Sequence, residues 1–143
     1  MPPPAERTLL LLRHAKSSWD DPGLADFDRP LAKRGREAAP RMGRLLAERG
    51  WVPDLAIVSP ALRTRQTWDL VSAELPRQPD VTFDDTIYEA APADILAAIR
   101  GAPDRASILL VVGHNPGLEE LAARLAGQGS DEDALRRLRE KFP

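Results

Sequence analysis

The sequence predicts an α/β fold, three-layered α/β/α, with helices on both faces of a mostly parallel central sheet. Three observations predict it. Short continuous apolar runs at Thr8–Leu12, Leu55–Val58 and Ile108–Val112 suit strands covered on both faces. Stretches with apolar residues at helical spacing separate them. Pro, Gly, Asp and Ser gather at the junctions, where turns belong. Alternation of strand and helix argues for parallel strands joined by helical crossovers. No repeat and no internal boundary is visible, so the 143 residues read as one domain with residues 1–7 as a flexible N-terminus.

Each element has its own justification. Thr8–Leu12 is the first strand, and the polar stretch His14–Pro30 that follows reads as a long loop of the kind that carries function. A helix fits Ala32–Arg49, with Ala38, Met42, Leu45, Leu46 and Arg49 on one face and Gly50 as its stop. Pro40 inside that pattern predicts a kink or a late start. Leu55–Val58 is the second strand. Pro60 is expected to open the next helix, which turns Leu62, Leu70 and Val71 inward and ends before Pro76. Val81–Phe83 is a weaker strand. Pro92 starts a helix with Ile95, Leu96 and Ile99 on one side. Ile108–Val112 is the third clear strand, and Pro116 opens a helix carrying Leu118, Leu121, Ala122 and Leu125. Ser130 followed by Asp133 resembles a further helix start, with Leu135, Leu138 and Phe142 as its stripe.

Composition narrows the function classes. Hydrophobic residues make up 43% and charged residues 29%, as in an ordinary globular protein. A net charge of −2 gives no electrostatic case for nucleic acid or an anionic membrane surface. The absence of cysteine removes disulfides, thiolate metal sites and thiol nucleophiles. No signal-peptide pattern or bilayer-length apolar run appears, so a cytoplasmic location is the default expectation.

In open α/β sheets ligands bind beyond the carboxyl ends of the strands. The first strand delivers Arg13 and His14 there, the second delivers Ser59 to Arg65, and the third delivers Gly113, His114 and Asn115. The chain has two histidines, and both sit just past a strand. A single histidine at a strand end is ordinarily structural; two, each flanked by turn residues and accompanied by arginines, point to chemistry. Guanidinium forks suit phosphate oxygens. Neutral imidazole is a competent nucleophile near neutral pH. Together they point to phosphoryl transfer onto histidine, with fixed cations stabilising the transition state. Neither an HxH nor an HExxH spacing occurs, and arginine neighbours disfavour a bound cation, so no metal or cofactor is expected.

The stretches "LLRHAKSSW", "DRPLAKRG", "IVSPALRTRQT" and "LLVVGHNPGL" resemble the motifs of the histidine phosphatase superfamily, the phosphoglycerate-mutase-like fold. The resemblance runs from Thr8 to Gly127, and the short chain with its RHA-type first motif is most similar to the SixA-type phosphohistidine phosphatases. It implies His14 as the phosphorylated nucleophile, Arg13 and Arg63 as holders of the phosphoryl oxygens, and His114 as the second imidazole on the same group. Arg65, two residues from Arg63 on a helix, is expected to face solvent. Supporting substrate contacts are expected from Asp20, Ser17 and Asn115. Glu89, in "IYEAAP", is the nearest candidate for the acid that protonates a leaving group, with Asp84 and Asp85 close behind. A phosphohistidine substrate reduces the need for that acid, because protonated imidazole leaves more easily than an alkoxide.

The implied partner is a phosphorylated protein, for example a histidine-phosphotransfer domain, or a small phosphorylated molecule. Two departures stand out. Ala15 follows the histidine where many relatives carry glycine. Chains that resemble this one continue past a "KFP"-like sequence into further strands, whereas this one stops at Pro143. Lacking the C-terminal strands, by natural loss or as a fragment, it is expected to leave a sheet edge open for self-association.

Overall fold

A computed structural model describes residues 7–126, and the structural statements below concern those residues. Four strands and four helices alternate along the chain: β1 (Thr8–Arg13), α1 (Lys33–Glu48), β2 (Leu55–Val58), α2 (Leu62–Ser72), β3 (Asp80–Phe83), α3 (Pro92–Arg100), β4 (Ile108–Gly113) and α4 (Gly117–Ala126). Single 3-10 turns occupy Asp26–Asp28 and Asp85–Ile87. The sheet order is β1-β4-β2-β3, and every pairing is parallel.

The apolar runs of β2 and β4 work as strands buried on both faces, whereas β1, at the edge, is fully buried only at Leu11. Leu11, Ile57, Leu109 and Val111 point toward α3 and α4, packing with Ile95, Leu118, Leu121 and Ala122. Their neighbours Ala56, Val58, Leu110 and Val112 point the other way, onto Ala39, Leu46, Trp68 and Val71 of α1 and α2. This two-residue alternation makes the three layers. Each fully buried Leu, Ile or Val contributes about 1.5–3 kcal/mol of transfer free energy. Among the described residues, β1 and β3 are the edge strands, each paired on one side. All four residues of β3 are exposed, which explains why its sequence signal is faint. Pro92 occupies the first turn of α3, where its missing N–H costs nothing.

Three local expectations need correction. The buried face of α1 is Gly35, Ala39, Gly43 and Leu46, whereas Ala38 and Arg49 are exposed and Met42 and Leu45 only half-buried. The reason is close backbone approach. A Cβ on Gly35 would lie 2.2 Å from the Lys16 carbonyl oxygen, and one on Gly43 would lie 2.4 Å from that of Val71. Pro40 lies inside α1 without delaying its start. α2 starts at Leu62 with Ala61 as its N-cap, so Pro60 precedes the helix instead of holding its first position, and the buried face carries Arg63, Thr64, Thr67, Trp68, Val71 and Ser72 instead of Leu62 and Leu70. Of the N-terminus expected to be flexible, Arg7 is described, and its guanidinium donates to the carbonyls of Ala106 and Pro103 at 3.2 and 2.9 Å. The helix expected from Ser130 and the C-terminal edge lie outside the described residues. Among the described residues, no helix is long and apolar enough to cross a membrane.

The α1 contact yields a test. Gly35→Ala forces a methyl into the backbone of Lys16, two residues after His14. Overpacking of this kind costs about 1–3 kcal/mol. The urea midpoint is expected to drop accordingly, and an unchanged midpoint would show that the helix can retreat freely.

Candidate active site

Sheet register builds the site. Arg13 pairs with Gly113, so the next residues on the two strands, His14 and His114, emerge side by side. The His14 N–H still donates to the Gly113 carbonyl at 3.1 Å. The two imidazole centroids are 5.4 Å apart with planes inclined at 57°. Chain direction opens the space above them. From β1 the chain leads to a helix on one face of the sheet, and from β4 to a helix on the other, which makes a crevice at the carboxyl ends of these neighbours. The cleft there has a volume of about 610 Å³ and is lined by Arg13, His14, Arg29, Arg63, Glu89 and His114, among others.

Hydrogen bonds determine what each imidazole offers. His14 Nδ1 lies 2.7 Å from the Ala15 carbonyl oxygen, which can only accept, so Nδ1 carries the proton. Nε2 is left with its lone pair. Arg63 NH2 lies 3.3 Å from His114 Nδ1, and guanidinium only donates, so the His114 proton sits on Nε2. That N–H donates to Ser59 Oγ at 2.8 Å. Both rings are neutral at pH 7. Burial pushes His14 down to about 4, with Arg63, Arg13 and Arg29 adding to the shift and the Ala15 carbonyl opposing it. Burial likewise pushes His114 down to about 3, helped by Arg63 and His14 and opposed by Asp26. Proton NMR in phosphate-free buffer checks this. Both imidazole Cε1–H signals are expected to stay still from about pH 8 to pH 6 and to move only below about pH 5. A midpoint at the ordinary 6.5 for either ring would contradict the packing described.

A second cluster holds the cations. Arg63 is 2% exposed. Its NH1 donates to the Asp26 carbonyl at 2.7 Å, and its NH2 reaches Asp26 Oδ2 at 3.0 Å and Glu89 Oε1 at 3.3 Å. Its Nε, buried, has no hydrogen-bond partner. Arg29, also buried, places Nε and NH2 on Asp26 Oδ1, both at 3.2 Å, and NH1 on Ser17 Oγ at 3.1 Å. The Tyr88 hydroxyl donates to Asp26 Oδ2 at 2.5 Å. That bond, and then Arg63, hold the Asp26 carboxyl well below its ordinary range. Partial withdrawal from water, and then Asp26, push Glu89 up. Half of the Glu89 side chain stays in solvent, which bounds the effect. Glu89 also sits at φ +46°, in the left-handed region that non-glycine residues seldom adopt.

The residues expected from sequence therefore divide. His14, His114, Arg13, Arg63, Glu89, Ser17 and Asn115 all line the cleft. Ser17 is committed to Arg29, and Asn115 Oδ1 accepts from the Glu119 N–H at 3.3 Å. Asp20 does not line the cleft; it is exposed, and its N–H donates to Ser18 Oγ at 3.1 Å. Arg65 is exposed, as expected. Asp84 accepts from the Thr86 N–H and hydroxyl, away from the cleft. Sequence reasoning missed Asp26, Arg29 and Tyr88. Arg29 lay inside the "DRPLAKRG" stretch, so a signal existed for it. Asp26 is one of four aspartates between Asp20 and Asp28, and nothing local distinguishes it. Thr67 was missed too: its hydroxyl donates to the Arg63 carbonyl at 2.7 Å and accepts the Ala15 N–H at 3.0 Å, pinning the His14 turn to α2. Trp19 is 70% exposed at the rim, with the Arg29 guanidinium 3.4 Å from its ring centroid.

Comparison with known proteins bears on this geometry. A family model described as histidine phosphatase superfamily (branch 1) matches residues 9–95. An uncharacterised chloroplast protein of Arabidopsis thaliana is 39% identical over 131 residues, covering 85% of this chain and 60% of its own length. An uncharacterised protein of Mycobacterium tuberculosis is 41% identical over 134 residues, covering 92% of this chain and 81% of its own. A crystal structure from Agrobacterium tumefaciens, provisionally designated the phosphohistidine phosphatase SixA, superposes with a TM-score of 0.80 at 32% identity, covering 97% of this chain and 87% of its own.

Proposed function

The chain belongs to the histidine phosphatase superfamily, with the SixA-type fold, and from that premise we propose that it hydrolyses phosphohistidine on a protein through a phosphorylated His14. One observation carries the reading. His14, whose Nε2 is left unprotonated, lines a cleft whose other walls include the neutral His114 and the arginines Arg13, Arg29 and Arg63.

The chemistry follows from those positions. The Nε2 lone pair attacks phosphorus. The bond from phosphorus to the leaving nitrogen breaks, and its electron pair departs with an imidazole already protonated on its other nitrogen. Charge spreads over the equatorial oxygens, where fixed guanidinium donors stabilise it. Water then attacks the phosphohistidine, the P–Nε2 bond breaks, its electron pair returns to His14, and the water's protons leave on the product as dihydrogen phosphate. The rim supports a protein substrate: Arg13, Lys16, Trp19 and Glu89 line the cleft and are exposed, leaving room for a side chain presented by a second protein, such as a histidine-phosphotransfer domain.

A small phosphomonoester is the second reading, and Glu89 favours it, because a carboxyl pushed up beside Arg63 is suited to protonate an alkoxide. Turnover of a phosphohistidine protein is to be compared with that of a panel of phosphorylated metabolites, in wild type and Glu89→Gln. The expected result is faster turnover of the phosphohistidine protein. The variant is expected to lose roughly 10²-fold on esters, in the range of general acid catalysis, and only a few-fold on phosphohistidine. Preference for a metabolite, with equal losses on both substrates, favours the ester enzyme.

A further inference from the structure

We propose that Asp26 is a positioning residue that fixes Arg29 and Arg63 as one preformed anion receptor; the proposal rests on the phosphatase reading above. Each carboxylate oxygen serves a different arginine. Oδ1 takes Nε and NH2 of Arg29, and Oδ2 takes NH2 of Arg63. The Asp26 carbonyl oxygen takes Arg63 NH1 as well, so a single residue holds two of the three guanidinium nitrogens of that side chain. The third, Nε, is the buried donor without a partner, on a residue that lines the cleft. Asp26 thus occupies the terminal edge of the Arg63 fork and fixes the orientation of its guanidinium plane beside the cleft.

The clamp is itself held. Tyr88 donates to Oδ2 at 2.5 Å, and the Tyr88 ring stands edge-on to His114 with centroids 5.4 Å apart. The residue that fixes the arginines is therefore tied to the second imidazole through one aromatic ring. Glu89 also reaches Arg63, but through one longer contact from a more exposed side chain, so it does not replace the clamp.

Simple charge counting gives the opposite expectation. A carboxylate beside an anion site repels the anion, and removing it should tighten binding. Loss of orientation should weaken binding instead, because two long side chains must then be ordered at the moment of binding. The sign of the effect separates the two roles. Tungstate binding is to be measured by calorimetry on the whole protein, in wild type, Asp26→Asn, Asp26→Ala and Tyr88→Phe. We expect affinity to fall about tenfold in Asp26→Asn and further in Asp26→Ala, the scale of one or two hydrogen bonds to a charged group. Asp26→Glu is expected to recover part of the loss. Tyr88→Phe changes no charge at neutral pH and frees Oδ2, so it should weaken binding about two- to threefold, and it keeps the test alive if the Asp26 variants fold poorly. In steady-state assays kcat/KM should fall together with tungstate affinity. Equal or tighter tungstate binding by Asp26→Asn, or unchanged binding by Tyr88→Phe, overturns the positioning role while the phosphatase reading stands. A wild-type protein that binds no tungstate overturns that reading and the inference with it.

Discussion

Replacing His14 by alanine is expected to abolish phosphatase turnover, with a loss on the order of 10⁴-fold or more, because the covalent route disappears with the nucleophile. The ring is turned for this task by one bond, from Nδ1 to the Ala15 carbonyl, and burial keeps Nε2 unprotonated at neutral pH. Wild-type protein incubated with labelled phosphohistidine substrate should take up an acid-labile, base-stable label, and His14→Ala should not. Tungstate binding should persist in the variant within about tenfold, since three arginines remain around the cleft. That combination separates an enzyme from a module that merely binds phosphate. Equal turnover by both proteins would identify the chain as the module.

What was legible in the sequence followed from the strands. Leu9–Leu12 and Leu109–Val112 announce buried parallel strands because they are apolar on both faces, and the pairs Arg13-His14 and Gly113-His114 stand one step beyond each. The convergence of the two histidines is a consequence of parallel register, so finding the strands nearly sufficed to find the rings. Helix faces were less legible. Apolar size predicted Ala38, Met42 and Leu45 inward on α1, but the face is set by how closely its backbone approaches Lys16 and Val71, which selects Gly35 and Gly43. On α2, hydrophobicity misled because the inward positions hold a buried arginine and two threonines whose hydroxyls are satisfied by the backbone: Thr64 donates to the Ser59 and Ala61 carbonyls, and Thr67 to that of Arg63.

The His14–Pro30 loop was legible as functional but not in its parts. Choosing Asp26 over Asp20, Asp21 or Asp28 requires knowing that Leu31 pairs with Ser17 and that the Leu31 N–H is held by Gln66 Oε1 at 2.8 Å, which folds the loop back over α2. Only then does the Asp26–Asp28 turn lie against Arg63. Partners 37 residues apart leave no periodic trace in a sequence. Glu89 is intermediate: its neighbourhood pointed to it, but its tie to Arg63 comes from the fold.

Arg63→Met is the second large effect expected. The side chain is buried and joins three strand exits at once, through Asp26 after β1, Glu89 after β3 and His114 after β4. Removing a donor aimed at the developing charge costs about 10²–10³ in kcat. Stability should fall by about 1–3 kcal/mol, because the buried His114 Nδ1 loses its donor while the two carboxylates keep other partners or solvent. Asp26 keeps Arg29 and Tyr88, Glu89 already meets solvent, and methionine fills much of the volume. The variant also moves the histidines. Arg63 disfavours the charged form of both rings, so its loss raises both pKa values, while burial, the largest cause for each, still holds them below the ordinary 6.5. The imidazole signals should therefore begin to titrate at higher pH than in wild type, and residual turnover should fall off earlier on acidification. Arg63→Lys separates charge from geometry. It retains a cation, so the histidines should stay low, but a point charge cannot serve Asp26, Glu89 and His114 in one plane, and turnover should remain depressed by at least about tenfold. Wild-type kcat in Arg63→Lys would mean that the cation alone suffices and that the planar fork is dispensable.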